Sequence, residues 1–140
     1  MKPTLLIAIL LLCTSCMAQE PYVRLKGQKF TVEIADTQEK QSLGLMFRDE
    51  MADDHGMIFI YPAAGMQSFW MKNTRIPLDI FYFDRDLKLI NVAENAKPCR
   101  TPRCPTYTSA APAKYILELN AGKAKELGVQ SGDTLELYLD

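Results

Sequence analysis

Beyond residue 22 the chain is a succession of short apolar runs, fenced by glycine, proline and Asn/Asp turn signals. Phe30, Val32 and Ile34 alternate with Thr31 and Glu33, and Leu135, Leu137 and Leu139 alternate with Glu136 and Tyr138. A period of two places one set of side chains on each face of a strand, and an amphipathic helix does not produce it. Similar runs stand at Gly56–Tyr61 (closed by Pro62), Ser68–Asn73, Leu78–Phe83, Leu87–Val92 and Tyr115–Leu119. Gly27-Gln28 divides Val23–Ala35 into a hairpin, and Asp84-Arg85-Asp86 turns the chain between two strands. Two segments change period. Asp36–Arg48 opens with Asp36 and Glu39 at capping-box spacing and puts Leu43, Met46 and Phe47 on one face, predicting a helix of about three turns. Asn120 is expected to cap a second helix, Ala121–Leu127, stopped by Gly128. The expectation is a mainly β (α+β) domain, a compact antiparallel sandwich or barrel-like fold with two short helices at its ends.

Residues 1–16 read as an export signal. Lys2 supplies the basic start, Leu5–Leu12 the apolar core, and the run is too short to span a bilayer. Cys13-Thr14-Ser15-Cys16 resembles a bacterial lipobox, with Cys16 as the lipidated first residue of the mature chain. A rival cut falls after Ala18, with Cys16 and Ala18 as the small residues of an ordinary cleavage site. Met17 gives no acidic retention signal, which by resemblance to known sorting behaviour favours the outer membrane. Residues 17–22 then form a tether and 23–140 a single domain in the cell envelope, touching the membrane only through its lipid.

Export bears on the remaining cysteines. Cys99 and Cys104 sit in CRTPRC among Pro98, Pro102 and Pro105, and an oxidising compartment favours a disulfide there. The four-residue spacer is not the CxxC of a redox centre, and no second ligand pair is near for zinc. The segment 93–114 is the one long loop expected, a natural lid or rim.

A formal net charge of −1 over 140 residues supplies no electrostatic footprint for nucleic acid or an anionic membrane face. Nucleophile elbows, phosphate-cradling glycine loops and paired zinc-ligand motifs do not occur. No catalytic residue, metal or cofactor is therefore assigned, and the number of subunits is not fixed.

The densest chemistry lies in Gln67–Phe83, QSFWMKNTRIPLDIFYF, where a polar cluster separates two strand-like runs. Asp79 falls inside an apolar run, where an unpaired carboxylate is costly. It is expected to meet a cation, Lys72 or Arg48, or several backbone amides. The structural reading makes this a buried tie. The functional reading makes Trp70, Lys72, Asn73, Asp79, Arg48 and Glu118 a site for a small polar ligand, carbohydrate-like in view of the lone indole, or for an envelope protein. Trp70, Lys72 and Thr74 share one strand face, and Phe69, Met71 and Asn73 the other. A rival class is a hydrolase or transferase using Asp79 and Glu118, whose environments would have to split their pKa values. A third is Cu(I) handling by Met46, Met51, Met57, Met66 and Met71, although methionine usually fills irregular core. His55, beside Asp53 and Asp54, is expected at the surface.

Four blocks stand in a telling order: GLMFR at 44–48, GMIF at 56–59, FWMKNT at 69–74 followed by IPLDI at 76–80, and LELNAG at 117–122 with Gly132-Asp133 after it. In that order and spacing the chain resembles the bacterial and archaeal domain-of-unknown-function family 192, from about Lys26 to Leu137. The resemblance implies a compact β-rich domain. It also implies frequent export, and a cysteine pair in the loop before LELNAG, as here at Cys99 and Cys104. It brings no activity with it.

Overall fold

A computed structural model describes residues 19–140. The calls on the leader and on lipidation of Cys16 lie outside the described residues. Nine strands and two short helices are formed among them, in the order β1 (Tyr22–Leu25), β2 (Gln28–Ala35), α1 (Gln38–Leu43), β3 (His55–Gly65), β4 (Ser68–Trp70), β5 (Leu78–Phe83), β6 (Leu89–Ala96), β7 (Thr106–Thr108), β8 (Ala113–Asn120), α2 (Lys123–Leu127) and β9 (Leu135–Tyr138). Seven strands make one sheet in the order β6-β5-β8-β3-β2-β1-β9, and β4 and β7 pair separately. Every pair is antiparallel except β2 with β3. The sheet curls until its edges meet at one end: the Leu135 amide donates to the Leu87 carbonyl at 2.9 Å, and the Leu89 amide to the Asp133 carbonyl at 2.8 Å. The result is a half-barrel, within the mainly β class expected, and the curl leaves less open edge for unwanted pairing.

Each face of the sheet carries its own core. Val32, Ile58, Phe81, Phe83, Leu117 and Leu119 belong to the first, which α2 joins through Ala124. Met57, Phe59, Ile80, Tyr82 and Ile116 belong to the second, closed over by Leu45, Met71 and Cys99. The six residues of β5 are all buried because both of its faces are covered. Phe69 and Tyr107 of the small sheet pack on the second core, Phe69 meeting Phe59 edge-on at 4.9 Å.

Helix α1 is shorter than its periodicity implies. Thr37, not Asp36, is the N-cap, its hydroxyl accepting from the Lys40 amide, while Asp36 pairs with Lys40 at 3.0 Å. Gly44 ends it at φ 48°, and an added Cβ there would lie 3.4 Å from the Phe59 ring. The chain then turns tightly instead of continuing to Arg48. Strand β3 runs through Pro62 to Gly65 over a bulge, and the long loop is interrupted by β7. Cys99 and Cys104 are disulfide-bonded. Through Cys99 that loop is laced to the segment that follows β4: the Cys99 amide donates to the Met71 carbonyl and the Asn73 amide to the Cys99 carbonyl.

The β3–β8 register depends on Gly56. It faces Leu119, and a methyl in place of its hydrogen would sit 2.5 Å from the Glu118 carbonyl oxygen and 2.6 Å from Leu119 Cδ2. Backbone in a central pair cannot give way as a side-chain tip can. Gly56→Ala is expected to lower stability by about 2 kcal/mol or more, read as a displaced midpoint in urea denaturation. A midpoint matching the parent would show that β3 is not held this closely.

Candidate functional site

The residues that looked like one constellation in the sequence are divided among four places. Arg48 forms a two-pronged pair with Glu33, both N–O distances 2.7 Å, on the surface of β2. The Arg48 hydrogen bond keeps the Glu33 carboxyl below its ordinary range, against the opposing effect of burial. Glu33 also meets His55 Nε2 at 3.3 Å, and His55 Nδ1 lies 2.7 Å from the Thr31 hydroxyl. His55 is thus partly buried, not free at the surface. The hydroxyl, imidazole and carboxylate are connected as in a nucleophilic triad, yet Arg48 clamps the carboxylate and neither pocket described below reaches them.

Asp79 meets neither Lys72 nor Arg48. Its Oδ1 accepts from the Asn95 amide at 2.7 Å, and its Oδ2 from the amides of Gly122 and Ala124 at 3.0 and 2.8 Å. It is 1% exposed, and three amide donors satisfy it without a counter-ion. The two at the start of α2 make Asp79 the cap that Asn120 was expected to be. Asn120 instead donates to the Met51 carbonyl at 2.8 Å.

Asn73 takes a left-handed conformation, φ 55°, beside Phe47 at φ 65°, and the Phe47 amide donates to the Asn73 carbonyl at 2.8 Å. Asparagine tolerates this region, whereas for phenylalanine it is strained. With Asp49, Arg75 and Arg100 they line a shallow hollow, in which Arg75 pairs with Asp49 at 2.8 Å.

Glu118 and Trp70 remain, and they line one pocket. Along β8 the residues Leu117 and Leu119 face the first core, so Glu118 faces the second, flanked by Met57 on β3 and Ile80 on β5. Since Asp79 lies opposite Leu119 in the same register, the two carboxyls project from opposite faces of the sheet. They cannot act on one substrate as an acid/base pair. Above Glu118 is a pocket of about 230 Å³. Its walls are the end of α1 and the turn after it (Gln41–Met46), Phe59 and Tyr61 of β3, Ser68, Phe69 and Trp70 of β4, and Thr74. Trp70 is 48% exposed at the rim, with the Lys72 ammonium 5.2 Å from its ring. That places both side chains on the outer face of the strand, while Met71 is buried.

Glu118 is the chemically exceptional group. It is 5% exposed and makes no side-chain hydrogen bond among the described residues, its carboxyl oxygens opening onto the pocket rather than being sealed. Burial raises its pKa from 4.5 to about 8, so at neutral pH the carboxyl is mostly protonated. Burial, with a further contribution from Glu118, also pushes the Tyr61 and Tyr82 phenols up. The Tyr82 hydroxyl is committed, donating to the Tyr107 carbonyl at 2.7 Å.

Tyr61, Gln41 and Ser42 were not singled out from the sequence. Tyr61 has the same parity as Met57 and Phe59, a signal that was available once Glu118 was placed on that face. Gln41 and Ser42 gave none, because only the docking of α1 brings them to the pocket. The methionines serve several ends: Met57 and Met71 fill the second core, Met51 packs against it, Met46 lines the pocket and Met66 is exposed. Among the described residues no three His, Cys, Asp or Glu side chains gather to hold a metal ion.

A curled β-sheet with a short capped helix at one end and a carboxyl-floored aromatic pocket on one face defines a small, mainly β, pocket-bearing domain. The chain belongs to domain-of-unknown-function family 192 (DUF192, "Uncharacterized ACR"), which it matches over residues 22–137. A UPF0127 protein of Pyrococcus abyssi is 31% identical over 110 residues, covering 75% of this chain and 84% of that protein. One from Pyrococcus furiosus is 30% identical over 118 residues, covering 79% and 91%. Two solved structures are each 40% identical. A protein of unknown function from Novosphingobium aromaticivorans superposes with a TM-score of 0.75, covering 83% of this chain and 82% of that one. A chain from Sinorhizobium meliloti 1021, provisionally labelled a transcription regulator, superposes with a TM-score of 0.77, covering 84% and 92%.

Proposed function

We propose that this protein is an envelope-anchored binding domain that takes a small polar molecule into the pocket above Glu118. The observation that carries the reading is the Glu118 carboxyl itself, held at the pocket floor in a desolvated place, open to the pocket and making no side-chain hydrogen bond among the described residues. Ionising an acid in so desolvated a place costs stability, and a ligand that pairs with the carboxyl offsets that cost. Trp70 at the rim supplies a flat apolar surface on the way in. The leader-like residues 1–16 and the lipobox-like Cys16 support a place in the cell envelope. A regulator acting by direct DNA contact needs a basic face, and a formal net charge of −1 does not favour one.

Thermal-shift screening of the parent and Trp70→Ala against sugars, amines and carboxylic acids tests the reading. A ligand of the pocket is expected to bind Trp70→Ala at least about tenfold more weakly, the loss of one aromatic contact. A compound that stabilises both proteins equally places binding elsewhere and removes the pocket from consideration.

A further inference from the structure

The pocket's hydrogen-bonding character points to the charge of its ligand. Several of its polar groups have their hydrogens already engaged, while the hydroxyls of Ser42 and Tyr61 and the Trp70 indole N–H remain able to donate. The Gln41 amide nitrogen is spent on the carbonyls of Ala35 and Ile60, at 3.2 and 3.0 Å, leaving its oxygen to offer. The Thr74 hydroxyl donates to the Lys72 carbonyl, and Ser68 shares its hydroxyl with Thr108. Among the described residues no lysine, arginine or histidine lines the pocket, and Glu118 is the one ionisable acid there besides the phenol of Tyr61. Around that carboxyl stand the rings of Phe59, Tyr61, Phe69 and Trp70. A carboxylate with no counter-ion among the described lining residues, set among aromatic rings and the Gln41 oxygen, is an arrangement that attracts an organic cation. A volume of about 230 Å³ suits a head group of a few heavy atoms.

We propose that the pocket receives the ammonium head of a small organic amine, with the Glu118 carboxylate as its counter-ion and the four rings as its apolar wall. The proposal rests on the pocket being a ligand site at all, and goes further in fixing the ligand's charge. Binding a cation requires Glu118 to be ionised, so the ligand displaces its proton. The groups facing Glu118 are the phenols of Tyr61 on β3 and Tyr82 on β5, which stay neutral in the range concerned, and the uncharged Gln41, Ser42, Ser68 and Thr74. Lys72 lies outside the lining, against the Trp70 ring.

The probes are tetramethylammonium and n-butylammonium, with their neutral counterparts neopentyl alcohol and butan-1-ol, titrated calorimetrically into the folded domain. Tetramethylammonium does not titrate, so any pH dependence belongs to the protein. The cations are expected to bind at least about tenfold tighter than the alcohols, a gain in keeping with a desolvated ion pair. Tetramethylammonium affinity is expected to rise about tenfold per pH unit below about pH 7 and to level off above about pH 9. Each binding event should release a proton at neutral pH. Glu118→Gln, its fold checked by circular dichroism, should lose both the cation preference and the pH dependence. Trp70→Ala should weaken cation binding while keeping its pH slope. Alcohols that bind as well as the cations, or a cation affinity unchanged by Glu118→Gln, overturn the amine assignment and leave a neutral-ligand pocket standing. If no probe of either charge binds, both the amine assignment and the pocket reading fall.

Discussion

Replacing Glu118 with glutamine is expected to raise stability by about 3 kcal/mol at pH 7 and to change it little near pH 4. The sign follows from the proton that the folded state retains. In the fold the carboxyl titrates near 8, against an ordinary value of 4.5. Between those values the native state holds a proton that the unfolded chain has released, so stability falls as pH rises. The contribution is fully present below about pH 4.5 and exhausted above about pH 8. At about 1.4 kcal/mol per pKa unit, the penalty reaches about 3 kcal/mol at pH 7 and about 5 kcal/mol at pH 9. Glutamine matches the neutral acid in shape and never ionises, so it escapes that penalty. Glu33, whose carboxyl Arg48 holds low, contributes stability of the opposite dependence, lost on acidification. It is common to both proteins and cancels in the difference. Urea denaturation of parent and variant at pH 4.5, 7 and 9 reads the effect. A difference below about 1 kcal/mol, flat with pH, would mean that Glu118 is ionised and well solvated in the fold, and the ligand argument would lose its basis.

Asp79→Ala is the substitution expected to damage the fold most, by about 3–5 kcal/mol. It strips an acceptor from three backbone amides at once, those of Asn95, Gly122 and Ala124. Each buried donor left unmet costs about 1–3 kcal/mol, partly recovered where water enters. Helix α2 has only five residues, too few to persist without outside support. Asp79 supplies that support from the neighbouring strand β5. Asp79→Asn keeps one acceptor oxygen but turns an NH₂ toward an amide donor, so it should fall between parent and alanine. Chemical denaturation gives the ordering. Hydrogen exchange should quicken first at Gly122 and Ala124, the amides released. A loss under about 1 kcal/mol for the alanine variant would show that the carboxylate is dispensable and that α2 is held by packing alone.

These substitutions touch the two acids that the sequence presented as comparable, and their expected effects are opposite in sign. Nothing in the local sequence separates LDIFYF from LELN: each has a single acid among apolar residues. What separates them is register. With Ile80 opposite Glu118 and Asp79 opposite Leu119, adjoining strands aim the two carboxyls at different cores. One meets the open amides of a helix start, and the other an aromatic wall with no cation in its lining.

The strands were legible because their signal is local. Alternation in Phe30–Ile34 and Leu135–Leu139, the Gly27 turn and the Pro77 break each act within a few residues, and β1, β2, β5 and β9 stand close to where they were expected. Helix α1 was overestimated because periodicity counts apolar residues without seeing their neighbours. The Phe59 ring beside Gly44, 15 residues along the chain, lies where an outside contact bears on the helix end.

By itself, then, the sequence determined a mainly β domain with two short helices, the pairing of Cys99 with Cys104 as the expected outcome, and the carboxyls worth following. Tertiary structure alone decided that Arg48 belongs to Glu33, that Asp79 caps α2, and that Gln41, Tyr61 and Trp70 share a pocket with Glu118. The physical reason is range. Backbone preference and side-chain alternation are written over a few neighbouring residues, whereas burial, ionisation and hydrogen-bond partnership depend on groups tens of positions away that only the curled sheet brings together.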